Sequence, residues 1–277
     1  MRNIDMSYYN IYYYCNIADN LLTYFTSDID WLSTAAQFTD SFFLTEPESF
    51  PKYTALHSFC EFVIRQIFCE DTRNEIERIQ EKYDMLVNVE DKKTRLLKSF
   101  NYDNQNKKAL LEIDRVGNLF GMRQETFFDY LLNSEFTFIE DAYENFLLLD
   151  SYFPDIVMML SQEMFYVLFL NRDFLFRFNY WLANSNPYKM KRSSIPVWVK
   201  RAVKYRDKGR CVMCDKDLSG LLDIEDDNSV HYDHIISLND NGLNDITNIQ
   251  LMCHRCNLNK GDKSYTSTKY KYWYNYK

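Results

Sequence analysis

Cys211-Val-Met-Cys214 and Cys253-His-Arg-Cys256 stand in the last third of this 277-residue chain, and between them lie Val230-His-Tyr-Asp-His-Ile-Ile236 and Asn248. A CxxC turn lets two thiolates approach one ion at about 2.3 Å each, and four such sulfurs complete a tetrahedral zinc shell. The spacing therefore predicts a structural Zn²⁺ on Cys211, Cys214, Cys253 and Cys256. Such a shell leaves no open coordination position, so any chemistry has to come from the residues between the pairs. Thirty-eight residues separate the two pairs, more than a minimal zinc ribbon needs. The insert must be structured and must return on itself.

Residues 230–236 alternate as a strand does, which puts His231 and Asp233 on one side and His234 on the other, near the strand end. Asn239-Asp-Asn-Gly242 is turn chemistry. Ile246, Ile249 and Leu251 suggest a second short strand, and a helix should begin near Cys253 and run past Asn257 and Lys260. The expected order is strand, loop, strand, helix.

The order CxxC, Asp233-His-Ile-Ile236, Asn241-Gly-Leu-Asn-Asp-Ile-Thr-Asn248 and Cys253-His-Arg-Cys-Asn-Leu-Asn-Lys-Gly261 resembles the HNH, or ββα-metal, endonuclease family in its four-cysteine, zinc-stabilised form. The resemblance covers about residues 196–263 and says nothing of residues 1–190. It implies that His234 is the general base that takes a proton from the attacking water. Asn248 would hold the loop before the second strand and orient His234. Asp233 and Asn257 would give oxygens to one hydrated Mg²⁺ or Mn²⁺, a hard cation that keeps several waters. Asn257 stands where many members carry a final histidine, and as an asparagine at a helix start it also reads as a cap. Arg255 and Lys260 on the helix are candidate phosphate contacts; His231 is either a phosphate contact or a surface histidine. The same site type cuts DNA or RNA, because it grips a backbone and leaves base reading to other parts of the protein.

The rest of the chain is different in kind. An apolar fraction of 46% supports a buried core, while 6 glycines and 5 prolines favour helices over a turn-rich β fold. The 22 Tyr and 21 Phe carry no functional weight by themselves. Pro51 opens a helical periodicity through Leu56, Phe59, Val63 and Ile67, and Asp71-Thr72 reads as the cap of a next helix through Ile76 and Tyr83. Further helices are expected over 109–116, 123–133 and 138–149, followed by a long one from Pro154 towards Leu182. His57 reads as an ordinary packed or surface histidine, and Glu140, Asp141 and Glu144 as a solvated helix face. Met190–Pro196 reads as a linker, and a basic amphipathic helix with Lys200, Arg201, Lys204 and Arg206 follows it.

The predicted architecture is a mainly α domain over residues 1–190, of regulatory, oligomerising or partner-binding role, and a small α+β ββα-metal domain over 191–277. Charge follows the same boundary. The net charge of −8 divides into 14 Lys+Arg against 11 Asp+Glu over 192–277 and 18 against 29 over 1–191. Only the C-terminal part has a balance that permits nucleic-acid binding. The tail Lys269-Tyr-Lys-Tyr-Trp-Tyr-Asn-Tyr-Lys277 interleaves base and aromatic, suited to stacking on bases or to packing on the helical domain.

The functional expectation is a DNA endonuclease, with double-stranded DNA as partner and restriction or anti-phage defence as setting. An RNA-cutting or toxin nuclease and a non-catalytic zinc module are the alternatives. Residues 1–190 are expected to form a homo-oligomer or meet a partner protein, and residues 192–277 alone to bind zinc and DNA. No membrane span is expected, since Ile156–Phe178 is interrupted by charge. Met1-Arg-Asn-Ile-Asp5 does not read as a signal peptide, and CxxC pairs without an export signal suit a reducing, cytoplasmic compartment.

Overall fold

The computed structural model describes residues 11–23, 29–89, 91–100, 111–122, 125–149, 152–220 and 230–267; the tail at 269–277 lies outside them. It forms two compact units. One comprises residues 1–14 and 60–164, the other residues 15–59 and 165–277. This division differs from a linear boundary near residue 190, because segments on both sides of that point share the second unit.

The helices run α1 (Ile11–Thr23), α2 (Ile29–Phe42), α3 (Ala55–Met85), α4 (Lys92–Ser99), α5 (Glu112–Leu119), α6 (Phe127–Asn133), α7 (Ile139–Leu148), α8 (Tyr152–Phe169), α9 (Arg172–Ser185) and α10 (Val197–Arg206). Two expectations are corrected. Asp71-Thr72 starts no new helix, since α3 is continuous through it. The long helix expected from Pro154 is two helices, because the Asn171 side chain accepts from the N–H groups of Asp173 and Phe174 and so caps α9.

In the first unit, aromatic rings meet edge to face: Phe127 on Tyr143 at 85°, and Phe146 on Tyr152 at 72°. Gly117 allows this, because a Cβ there would lie 1.8 Å from the Tyr152 hydroxyl oxygen, which donates to Ile113 O at 3.1 Å. Buried Asp114 accepts from Phe127 N–H at 2.8 Å and Leu111 N–H at 3.2 Å, tying the starts of α6 and α5 together. Burial pushes its carboxyl up to about 6.

The second unit holds β1 (Val230–His234) and β2 (Ile249–Cys253), antiparallel with His234 opposite Ile249 and Tyr232 opposite Leu251, followed by α11 (His254–Lys260). That is the expected ββα order. The other edge of β2 is closed from within. Arg206 and Asp207, both side chains 1% exposed, form a two-point ion pair. Arg206 donates to Ile249 O at 2.6 Å, and Asp207 accepts from Leu251 N–H at 3.0 Å. Val212 N–H takes Leu251 O. A strand edge left unpaired inside a protein would strand its donors and acceptors, and this pair meets them. Arg206, expected on the basic face of α10, is therefore an internal structural residue.

Helical segments remote in sequence complete this unit. Phe50 N–H donates to Asn244 O at 2.7 Å, and Ala55 N–H at the start of α3 donates to Asp245 at 3.0 Å. Asn179 on α9 donates to Thr247 O at 3.1 Å and accepts from the Thr247 hydroxyl. Among the described residues no single helix is long and apolar enough to cross a membrane.

Candidate active site

The cysteines come together as their spacing predicts. The four sulfurs lie within 4.8 Å of one another, with Cys214 and Cys253 Sγ 3.7 Å apart. A tetrahedron with Zn–S bonds of about 2.3 Å has an edge of about 3.8 Å, so the donors are already at zinc spacing. Local structure makes this possible. Residues 207–218 form a tight turn in which Lys208, Gly209 and Asp215 take positive φ, and Cys211 N–H donates to Lys216 O at 2.9 Å. Cys253 ends β2 and is the N-cap of α11, whose first turn carries Cys256. Burial works against thiolate at Cys253, but the Cys256 N–H and the neighbouring thiols hold it below its ordinary value.

On the far part of the module, Asp233 and His234 close β1. Asp233 shares its side of the strand with His231 and faces α11; His234 faces the loop that leads to β2. His231 Nε2 is 3.0 Å from His254 Nδ1, and its Nδ1 is 3.4 Å from the Asn257 amide nitrogen. Arg255 is exposed on α11. Lys260 departs from expectation. Its side chain is 2% exposed and its ammonium lies 2.8 Å from Asp233 Oδ2, so it is an internal partner of the carboxylate and not a surface phosphate contact.

Asn248 ties together the loop between β1 and β2. Its amide donates to Ile236 O at 3.0 Å and Leu243 O at 2.9 Å and accepts from Ile236 N–H at 2.8 Å. Gly242 lets the turns close, since a Cβ there would meet Ile236 O at 2.1 Å and the Asn248 amide at 2.9 Å. Among the described residues, no hydrogen bond joins the Asn248 side chain to the His234 ring. Asn244 supplies one, its Oδ1 being 3.1 Å from His234 Nε2. Sequence reading missed Asn244 because its neighbours in the motif carry the turn pattern and the partners that position it lie far away in the chain. Burial lowers the His234 pKa; Asn244 and Asp233 act to raise it, and Lys260 and Arg192 to lower it further. The net downward shift favours the neutral imidazole, the form that can accept a proton.

Asp233, His234 and His231 line one cleft of about 680 Å³, together with Lys189, Arg192 and Lys200. Four clustered thiols thus sit at the base of a ββα unit whose first strand ends in an Asp-His pair lining a cleft shared with Lys189, Arg192 and Lys200. Residues 211–263 match the HNH endonuclease family. No curated protein and no solved structure matches the chain.

Proposed function

We propose that this protein is a metal-dependent endonuclease that hydrolyses DNA phosphodiester bonds, with His234 as general base. The observation that carries this reading is that Asp233 and His234 line one cleft together with Lys189, Arg192 and Lys200. Those cations suit a polyanionic backbone, whose binding draws on release of condensed counterions. The zinc-spaced thiols lie apart from this cleft and suit a structural Zn²⁺ that holds the end of β2, the start of α11 and the 211–214 turn together.

The oxygen donors of Asp233, next to His234, and of Asn257, next to His231, are of the class that holds a hard divalent cation. One is a carboxylate and the other an amide, the kind that hold a hydrated Mg²⁺ or Mn²⁺. When bound, the ion would supply electrophilic stabilisation of charge on the phosphate oxygens. His234, neutral and oriented, takes a proton from water directed at phosphorus. The exposed Arg192, Lys200 and Arg255 seat the strand, and Lys260 holds Asp233 in place. A single site of this size cuts one strand per visit.

The test is nicking of supercoiled plasmid in Mg²⁺ or Mn²⁺ and in EDTA, for wild type and His234→Ala with equal zinc content. Loss of a general base lowers rate by about 10²–10⁴, with DNA affinity retained. Nicking by His234→Ala at the wild-type rate would remove His234 from the role. Cleavage of RNA with plasmid left intact would reassign the substrate.

A further inference from the structure

We infer that Asn244, gripped by residues far outside the family match, fixes the tautomer of His234 so that Nδ1 is the atom that accepts the proton. This rests on the reading of His234 as a general base.

The argument begins with which way round the Asn244 amide sits. Its Nδ2 lies 2.7 Å from Lys191 O and 3.1 Å from Ser49 Oγ. A backbone carbonyl only accepts, so the group facing Lys191 O must be the NH₂. The opposite orientation would press two acceptors together at 2.7 Å. Oδ1 is thereby forced towards the imidazole, 3.1 Å from His234 Nε2. An amide oxygen only accepts as well, so a neutral His234 must carry its proton on Nε2. The lone pair is left on Nδ1, which has no hydrogen-bond partner among the described residues.

The grip itself is built from two distant segments. Ser49 Oγ also takes the Ser193 hydroxyl at 3.0 Å, joining the loop before α3 to the chain before α10. Phe50 is buried with φ 56, uncommon for a bulky residue, and in that conformation its N–H reaches Asn244 O at 2.7 Å. Asn244 is thus held by backbone and side chain together and is 1% exposed. Asn248, the motif asparagine, makes its side-chain hydrogen bonds with Ile236 and Leu243. Asn244 is a positioning residue: it acts on the reaction through His234, and residues 49–50 and 191–193 complete the base.

The test uses the full chain with ¹⁵N-labelled histidine, zinc-loaded and free of other divalent cations, at a pH where the ring is neutral. Two-bond ¹H–¹⁵N spectra distinguish the tautomers, and single replacement of His57, His231 and His254 by Gln assigns the His234 signals. The expected wild-type result is Nε2–H with an unprotonated Nδ1; a dominant Nδ1–H form overturns the inference and needs no variant. Asn244→Ala should mix the tautomers and lower kcat on plasmid about 10–100-fold with KM within about twofold. A tautomer and kcat both unchanged in folded Asn244→Ala would also overturn it. Ser49→Ala leaves the Lys191 O contact in place, so it should keep the Nε2–H form; loss of that form would place the control elsewhere than in the amide. The two readings separate: Nε2–H in a protein that cuts no nucleic acid keeps the positioning and removes the nuclease reading. Nδ1–H in an active nuclease does the reverse.

Discussion

Lys260 Nζ lies 2.8 Å from Asp233 Oδ2, the lysine side chain 2% exposed and the aspartate 23%. An ammonium so enclosed balances the Asp233 carboxylate that lines the cleft. Lys260→Met should therefore destabilise the cation-free protein by about 1–3 kcal/mol, the usual effect of leaving a half-buried charge without its partner. It should also tighten Mn²⁺ binding, because the incoming cation no longer meets a fixed positive charge. Titration calorimetry of zinc-loaded wild type and variant measures both affinities. Equal affinities would place the cation away from Asp233.

The thiol cluster predicts one tightly held zinc per chain. Ligation of structural zinc is worth about 10–16 kcal/mol in isolated fingers and is inseparable from their folding. Here it should order the 211–214 turn and the start of α11, so Cys256→Ser or prolonged chelation should lower both zinc content and the midpoint of thermal unfolding. Elemental analysis of freshly purified protein is the measurement, and zinc-free folded protein would sink the assignment.

His57 stacks on Phe165, with ring centroids 3.8 Å apart, and its Nδ1 accepts from Thr54 N–H at 3.2 Å while Thr54 Oγ1 accepts from His57 N–H. The pair is a capping box with imidazole in the usual place of a carboxylate. Burial lowers the ring pKa to about 4, against about 6.5 in the unfolded chain. The unfolded state thus binds the proton more readily. The contribution is full above pH 6.5 and is lost as pH falls from 6.5 towards 4, by up to about 3 kcal/mol. Denaturant unfolding of wild type and His57→Gln at pH 7.5 and 5 should show a smaller acid loss in the variant, since zinc release is common to both. Parallel losses would mean that His57 titrates normally.

The module was legible where chemistry is local. Cysteine spacing gave the thiol cluster, period-two alternation gave β1, and turn residues gave the loop that Gly242 closes. Asp71-Thr72 misled because a cap-forming pair is compatible with the interior of a helix when the rest of α3 is strongly helical. Arg206 and Lys260 read as surface cations because sequence does not reveal an internal carboxylate partner. Asn244 was invisible for the same reason: its role depends on Ser49 and Lys191, which only the fold brings to it. The fold class was readable from pattern, and the residues that tune the site were not.

Those long-range contacts bear on whether residues 192–277 can stand alone. Asp245 is 3% exposed and has its carboxyl pushed up by burial, yet it accepts from Ala55 N–H, Thr247 N–H and the Thr247 hydroxyl. Thr247, 0% exposed, gives its carbonyl to Asn179, itself 1% exposed. Cutting before residue 192 removes Ala55, Asn179, Ser49 and Phe50 together, and with them the hydrogen bonds that hold the loop between β1 and β2. Each buried group left without a partner costs about 1–3 kcal/mol. The isolated fragment should still take up zinc, whose ligands it keeps, but lose the order of residues 235–249 and nick DNA at least about tenfold more slowly than the full chain. Within the full chain, Asn179→Ala should reproduce part of this, lowering stability by about 1–3 kcal/mol while zinc content stays constant. Hydrogen exchange over 235–249, read beside nicking rates, makes the comparison. A fragment with the full chain's protection and rate would show that the ββα module needs nothing from residues 15–59 and 165–190.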